Sequence, residues 1–284
     1  MKKIAIISDI HSHQGLFEAV LNEVDDVVDE YIFLGDYITD GPNANEVLRL
    51  VQKYGDYIIA GNREVDLANY DGYRWHERVR YKSKEFTYRE LSKASCDFIK
   101  KLPIYQIIEA GNKRICLAHG SPYDVREAVF DKSYALFDKL IADFACDVYL
   151  FGHQHRPFQI KYRGCWFINP GSVNTPLDQR ATSKYGILTI DDEITYEAKE
   201  IVYDWDAAAE YYINSDYLLV CPEWANLLIY VLRDGIDYRK LFVEKLLATR
   251  NDATVVCRLE WHRIFQEFMN EWRLAIITGE NYYD

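Results

Sequence analysis

The chain has 284 residues, of which 49% are hydrophobic, enough for one large α/β domain with an extension and a sizeable core. A formal net charge of −12 argues against non-specific binding to nucleic acid or to anionic membrane surfaces, while leaving room for a local basic patch. No stretch is long and apolar enough to span a bilayer, and the 6 cysteines, scattered without a Cys-x-x-Cys pair, read as reduced thiols of a cytoplasmic protein.

In chain order, hydrophobic periodicity predicts a strand over Lys3–Ser8, a helix over Gly15–Val27, a strand over Glu30–Leu34, a helix over Asn45–Lys53 and a strand over Tyr57–Ala60. Tyr70–Lys84 then mixes Tyr70, Tyr73, Trp75 and Tyr81 with Arg74, Arg78, Arg80, Lys82 and Lys84. A substrate-facing wall has that composition. So does an amphipathic helix packed on the core, which is the preferred reading. Lys84–Lys100 reads as one helix. Strands follow at Ile104–Glu109 and Arg114–Ala118, a helix at Lys132–Phe144, and strands at Val148–Phe151, Phe158–Tyr162, Cys165–Ile168, Tyr185–Ile190 and Ile194–Val202. Strands alternating with helices early and pairing later predict mixed sheets covered by helices.

Beyond Tyr203-Asp204 the pattern turns helical, with helices predicted at Ala207–Ile213, Glu223–Leu232, Tyr238–Thr249 and Leu259–Ala275. This divides the chain into residues 1–203 and a C-terminal extension, 204–284. No Gly/Ser-rich linker separates them, so the extension is expected to pack on the core as a cap or to mediate a homo-oligomer.

Five segments at the ends of predicted strands carry chemistry: Ser8-Asp9-Ile10-His11, Leu34-Gly35-Asp36, Ala60-Gly61-Asn62-Arg63-Glu64, Ala118-His119-Gly120-Ser121-Pro122 and Phe151-Gly152-His153-Gln154-His155. They supply Asp9, His11, Asp36, Asn62, His119, His153 and His155, oxygen and imidazole donors that suit Mn, Fe, Zn or Ni. A lone histidine is more often structural than a ligand. Here, four of the 7 histidines fall in glycine-flanked strand ends, where ligands of α/β sheets gather. The i, i+2 spacing of Asp9/His11 and His153/His155 lets each pair converge on one site. Seven donors exceed one open metal site and suit two metals sharing a carboxylate.

The order Asp-x-His, Gly-Asp, Gly-Asn, His-Gly, Gly-His-x-His resembles the calcineurin-like metallophosphoesterase superfamily. The stretches Ser8–Leu21, Phe33–Asp36 through Gly41-Pro42 to Leu48, His119–Pro122 and Asn169–Val173 are similar to its small bacterial phosphodiesterase and phosphatase branch. The resemblance covers residues 1–202 and implies a four-layer α/β/β/α sandwich with a dinuclear site. It implies that Asp9, His11, Asp36 and His155 hold one metal, that Asp36, Asn62, His119 and His153 hold the other, and that Asp36 bridges. Manganese is the expected metal. The implied activity is hydrolysis of phosphate mono- or diesters, on a small-molecule or nucleotide-like substrate, by hydroxide generated at the metals.

Protein phosphatases and dinucleoside polyphosphate hydrolases share this chemistry. A non-catalytic scaffold, as in the phosphoesterase-like retromer subunit, is the alternative of another class, and the complete donor set speaks against it. Where the family often carries a histidine able to protonate the leaving group, this chain has Arg63, a poor acid that can still hold a phosphate oxygen through its fork of N–H donors. His13 is then the candidate substitute acid or phosphate contact. Asn169-Pro170-Gly171-Ser172 reads as a structural turn near the site, and His262 as structural.

Overall fold

In a computed structural model that describes residues 1–70, 82–249 and 258–278, ten strands form two five-stranded sheets. The first sheet contains β1 (Lys2–Ile7), β2 (Glu30–Phe33), β3 (Tyr57–Ile58), β9 (Thr182–Ile190) and β10 (Ile194–Val202), in the order β10-β9-β1-β2-β3. The second contains β4 (Tyr105–Ala110), β5 (Lys113–Ala118), β6 (Val148–Leu150), β7 (Phe158–Tyr162) and β8 (Cys165–Asn169), in the order β4-β5-β6-β8-β7. Parallel pairing joins β1-β2-β3 in one sheet and β5-β6-β8 in the other; β9 and β10 add antiparallel pairings on one side of the first sheet, leaving β3 as its other edge, and antiparallel β4 and β7 close both edges of the second. Parallel strands share a carboxyl-terminal edge, and all five donor segments leave from those edges.

The alternation of side chains along each strand sets the layers. Ile4 and Ile6 of β1 point between the sheets, where they meet Ile115, Leu117, Val148, Leu150 and Ile168. Ala5 and Ile7 point the other way, into a helical layer that includes α1 (Gln14–Val24) and α2 (Ala44–Tyr54). On the far face of the second sheet, Tyr149 and Phe167 pack on Phe137 and Leu140 of α6 (Tyr134–Phe144). The result is the expected α/β/β/α sandwich.

Three local readings are corrected. The helix predicted over Lys84–Lys100 is two, α4 (Lys82–Glu90) and α5 (Lys93–Ile99). Ser92 Oγ accepts the Ser95 amide at 3.1 Å and starts the second helix, while Asn45 Oδ1 holds the Ser92 amide at 3.0 Å. Gly61-Asn62-Arg63-Glu64 opens a short helix, α3 (Asn62–Ala68), that hydrophobic periodicity did not predict. Among the described residues, the C-terminal extension has a fifth helix. It runs α7 (Trp205–Ile213), α8 (Asp216–Val220), α9 (Pro222–Asp234), α10 (Tyr238–Thr249) and α11 (Arg258–Glu271), of which α8 was not foreseen. Most of Tyr70–Lys84 lies outside the described residues. Within them, Tyr70 stacks edge-on against Tyr88 and Lys84 pairs with Asp66.

Among the described residues, the extension shares its core with the helices of the first sheet's outer face. Ala208, Tyr212, Tyr217, Leu228, Phe242 and Phe265 join one continuous cluster with Phe17, Val20, Val47 and Leu48 of α1 and α2. A chain ending at Tyr203 would expose that shared apolar surface. We expect it to be insoluble, or to bind hydrophobic dye without a cooperative thermal transition. A sharp, reversible melt of the truncated chain would show that residues 1–203 fold alone.

Candidate metal centre

Two clusters form where the strand ends of the two sheets meet. Asp9, His11 and His155 form one, and Asp36, His119 and His153 the other; within each, one donor atom per residue lies within 4.8 Å of the rest. Asp36 stands between them. Its Oδ1 is 3.3 Å from His119 Nε2, and its Oδ2 is 3.9 Å from His11 Nε2. Asn62, also buried, is flanked by Gly61 and Arg63, and the Arg63 amide donates to Asp36 Oδ1 at 2.8 Å. All seven expected donors therefore lie around this one edge.

The backbone is strained to bring them there. Asp9, His11, Asp36, His153 and His155 all have positive φ, between 47° and 67°. Non-glycine residues seldom adopt that region, and such strain collects at functional sites. Close approach adds a second constraint. A Cβ on Gly61 would stand 2.2 Å from Asp36 Oδ1, so no larger residue fits beside that carboxylate.

Three of the donors, Asp9, His119 and His155, are aimed by partners behind them. Asp9 Oδ2 accepts from Ser8 Oγ at 2.7 Å and from the His153 amide at 3.1 Å, leaving Oδ1 toward the cluster. His119 Nδ1 bonds the Leu34 carbonyl at 2.7 Å, and His155 Nδ1 bonds the Thr175 carbonyl at 2.8 Å. A carbonyl can only accept, so both rings carry hydrogen on Nδ1 and turn Nε2 toward the cluster, where it is the atom a metal would use once free of any proton. The turn after β8 supports the same edge: Ser172 Oγ donates to the Asp9 carbonyl at 2.9 Å, and Asn169 Nδ2 to the Gly152 carbonyl at 2.6 Å.

Glu64 is a supporting residue that the sequence reading quoted but gave no role. Its buried carboxylate accepts the amides of Asp36 and Gly61, each at 2.8 Å, and those of Tyr37 at 2.9 Å and Ile38 at 3.2 Å. It thereby fixes the Asp36 loop to the start of α3. The signal was present: a Glu three residues after a helix-starting glycine is half a capping box.

The donor set fits divalent metal ions. Asp9 Oδ1, Asn62 Oδ1 and His119 Nε2 are buried without a hydrogen-bond partner, a cost that coordination removes. His11 Nε2 and His155 Nε2 lie 3.2 Å apart, which places two imidazole nitrogens on a common point. The charges are interdependent. Burial opposes ionisation of Asp36, but His119, His11 and Arg63 hold it well below the usual carboxylate range. Burial and repulsion from His155 push His11 down to about 3, and burial and His119 push His153 down to about 4.

His13 does not reach the centre. It is fully buried at the start of α1, its Nε2 bonded to the Ala208 carbonyl at 3.0 Å and its Nδ1 accepting the Leu16 amide at 3.3 Å. Both ring nitrogens are committed, and burial pushes its pKa down to about 4, so the acid or phosphate-contact role expected of it is withdrawn. Arg63 does lie at the centre, its Nε 3.7 Å from Asp36 Oδ2 and its Nη2 3.1 Å from Asp40 Oδ2.

Burial favours neutral His119, but the charges of Asp36 and Asp9 outweigh it and raise the pKa to about 9. The metal-free protein therefore holds a proton on His119 at neutral pH, and metal must displace it. Affinity should rise from pH 7 toward pH 9, with about one proton released per protein near pH 7. Calorimetry in two buffers of different ionisation enthalpy measures that release; affinity independent of pH over this range would contradict it.

Comparison with known proteins agrees with this geometry. Residues 1–193 match the family described as the calcineurin-like phosphoesterase superfamily domain. An uncharacterized protein of Methanocaldococcus jannaschii is 24% identical over 252 residues, covering 81% of this chain and 98% of that protein. A probable metallophosphoesterase of Bacillus subtilis, YsnB, is 32% identical over 101 residues, 36% of this chain and 56% of that protein. The crystal structure of a metallophosphoesterase from Sphaerobacter thermophilus superposes with a TM-score of 0.68 at 22% identity, over 82% of this chain and 100% of that one. With the matching domain spanning the whole site, the chain belongs to the calcineurin-like phosphoesterase superfamily.

Proposed function

We propose that this protein is a two-metal phosphoesterase that hydrolyses phosphate mono- or diesters of a small or nucleotide-like alcohol. The observation that carries the reading is the pair of adjacent Asp/His clusters with the Asp36 carboxylate between them. Two divalent ions there would lower the pKa of a bound water and neutralise charge on the phosphoryl oxygens during in-line displacement. An interaction scaffold would have no use for buried donors left without partners.

The remaining work falls to the chain's own residues. Asp9, His119 and His155 are locked in orientation by the bonds behind them, so little reorganisation accompanies substrate binding. Arg63, with about a quarter of its side chain exposed (24%), can offer free guanidinium donors to a phosphoryl oxygen. It keeps its proton, because Asp40 and Asp36 outweigh burial and raise its pKa further. Arg63 therefore stabilises charge and does not protonate the leaving group, and with His13 sealed off the leaving alkoxide departs largely unprotonated.

Hydrolysis should therefore depend steeply on leaving-group pKa. A general acid typically contributes about 10²–10⁴-fold, so aryl esters should outpace alkyl esters by a factor of that order. Arg63→Ala should slow both classes alike, by about tenfold to a hundredfold, and chelation should abolish turnover. Rates across a series of matched esters with metal-loaded protein provide the test. A flat dependence on leaving-group pKa would reveal another acid, and no turnover of any phosphate ester would defeat the assignment.

A further inference from the structure

Asp40, on the loop that follows Asp36, joins the metal centre to the C-terminal helices. It is buried, with φ of 60°. Its Oδ1 accepts from Trp224 Nε1 of α9 and from Ser83 Oγ, both at 2.9 Å, and Tyr217 of α8 donates to that Ser83 oxygen at 2.8 Å. Its carbonyl accepts from Tyr212 of α7 at 2.9 Å. Its Oδ2 lies 3.4 Å from Arg239 Nη1 of α10, 3.1 Å from Arg63 Nη2 and 3.8 Å from His11 Nδ1. Four helices of the extension thus act on one residue, directly or through Ser83.

The two arginines on Oδ2 are held differently. Arg239 is almost fully buried and anchored at its other edge, where Nε meets Asp237 Oδ1 at 3.1 Å. Among the described residues, Arg63 is tied at the centre, with Asp40 on one nitrogen and Asp36 near another. A long side chain fixed by one carboxylate swings, whereas one fixed between two is oriented, and a planar guanidinium rewards orientation when it meets a phosphate. Oδ1 cannot turn away either, since Trp224 and Ser83 hold it. We propose that Asp40 is a positioning residue, gripped by the C-terminal helices, that aims the Arg63 guanidinium at the substrate's phosphoryl group, so that the extension is a working part of the site. This rests on the phosphoesterase reading.

The test is a double-mutant cycle on full-length, manganese-loaded protein: wild type, Asp40→Asn, Arg63→Gln and the double variant. Two quantities are read, kcat on an aryl phosphate ester and the calorimetric affinity for inorganic phosphate, which needs no turnover. Asn retains the Oδ1 acceptor and removes the charge on Oδ2, which faces Arg63, Arg239 and His11. Each single variant should lose about tenfold in kcat and in phosphate affinity, and the double variant should be no worse than Arg63→Gln alone. Trp224→Phe, outside the centre, should give a smaller loss in kcat that vanishes in the Arg63→Gln background; it supplies the cycle if Asp40→Asn does not fold. Losses that multiply in the double variant, or a lowered melting temperature with unchanged kcat and phosphate affinity, would overturn the proposal. A wild type that binds phosphate with the expected coupling but cleaves no ester would overturn the phosphoesterase reading and support the positioning role. A wild type that neither binds nor cleaves would overturn both.

Discussion

The Asp36 carboxylate is pinned from several sides, and both donor clusters are arranged around it. Glu64 holds its amide, the Arg63 amide holds Oδ1, and Gly61, lacking a side chain, lets the start of α3 lie close against it. The loop from Ile10 to Ser12 is in turn built on the same segment, with the amides of Ile10 and His11 both bonded to the Asp36 carbonyl at 3.0 Å. Moving Asp36 would therefore move Asp9 and His11 on one side and α3 with Asn62 on the other. The left-handed backbone at five of the seven donors is the strain this convergence requires. It persists because two sheets and two helical layers hold their strand ends in fixed register.

Such a centre is unfavourable for the fold taken alone. Asp9, Asp36 and Asp40 are buried carboxylates, and several donor atoms beside them lack partners. Ions that bind only the folded chain would offset that cost, which ties stability to metal concentration. The C-terminal helices offset part of it by another route. Arg239 brings a positive charge to Asp40, and Tyr212 donates to the Asp40 carbonyl while its own hydroxyl accepts from Asn174, whose amide also bonds the His11 carbonyl at 3.1 Å. One helical layer thus covers apolar surface on α1 and α2 and also reaches the polar edge of the centre.

Much of this was legible in the sequence because it rests on short-range rules. Period-two runs ending in Gly-Asp or Gly-His mark strands that deliver ligands, and the layers follow from alternation along β1 and β2. What was illegible depends on distant partners. His13 looks like a second site histidine two residues after His11, yet α7 arrives to claim its Nε2 through Ala208. Nothing local announces that Asp40 will be met by Trp224 and Arg239, which lie 184 and 199 residues away in sequence. Lys84–Lys100 reads as one helix because its apolar spacing is nearly continuous; the break comes from Ser92 as a cap and from Asn45 on another helix. Glu64 was within reach, since a buried Glu at the third helical position has backbone amides to satisfy.

Everything said of the chemistry turns on Asp36 lying between two ions. Anomalous diffraction from crystals of the manganese-loaded protein measures that directly. Two peaks should appear about 3.5–4 Å apart, one beside His11 and His155 and one beside His119 and His153, with the Asp36 carboxylate touching both. A single peak under saturating metal, or two ions that do not share Asp36, would contradict it.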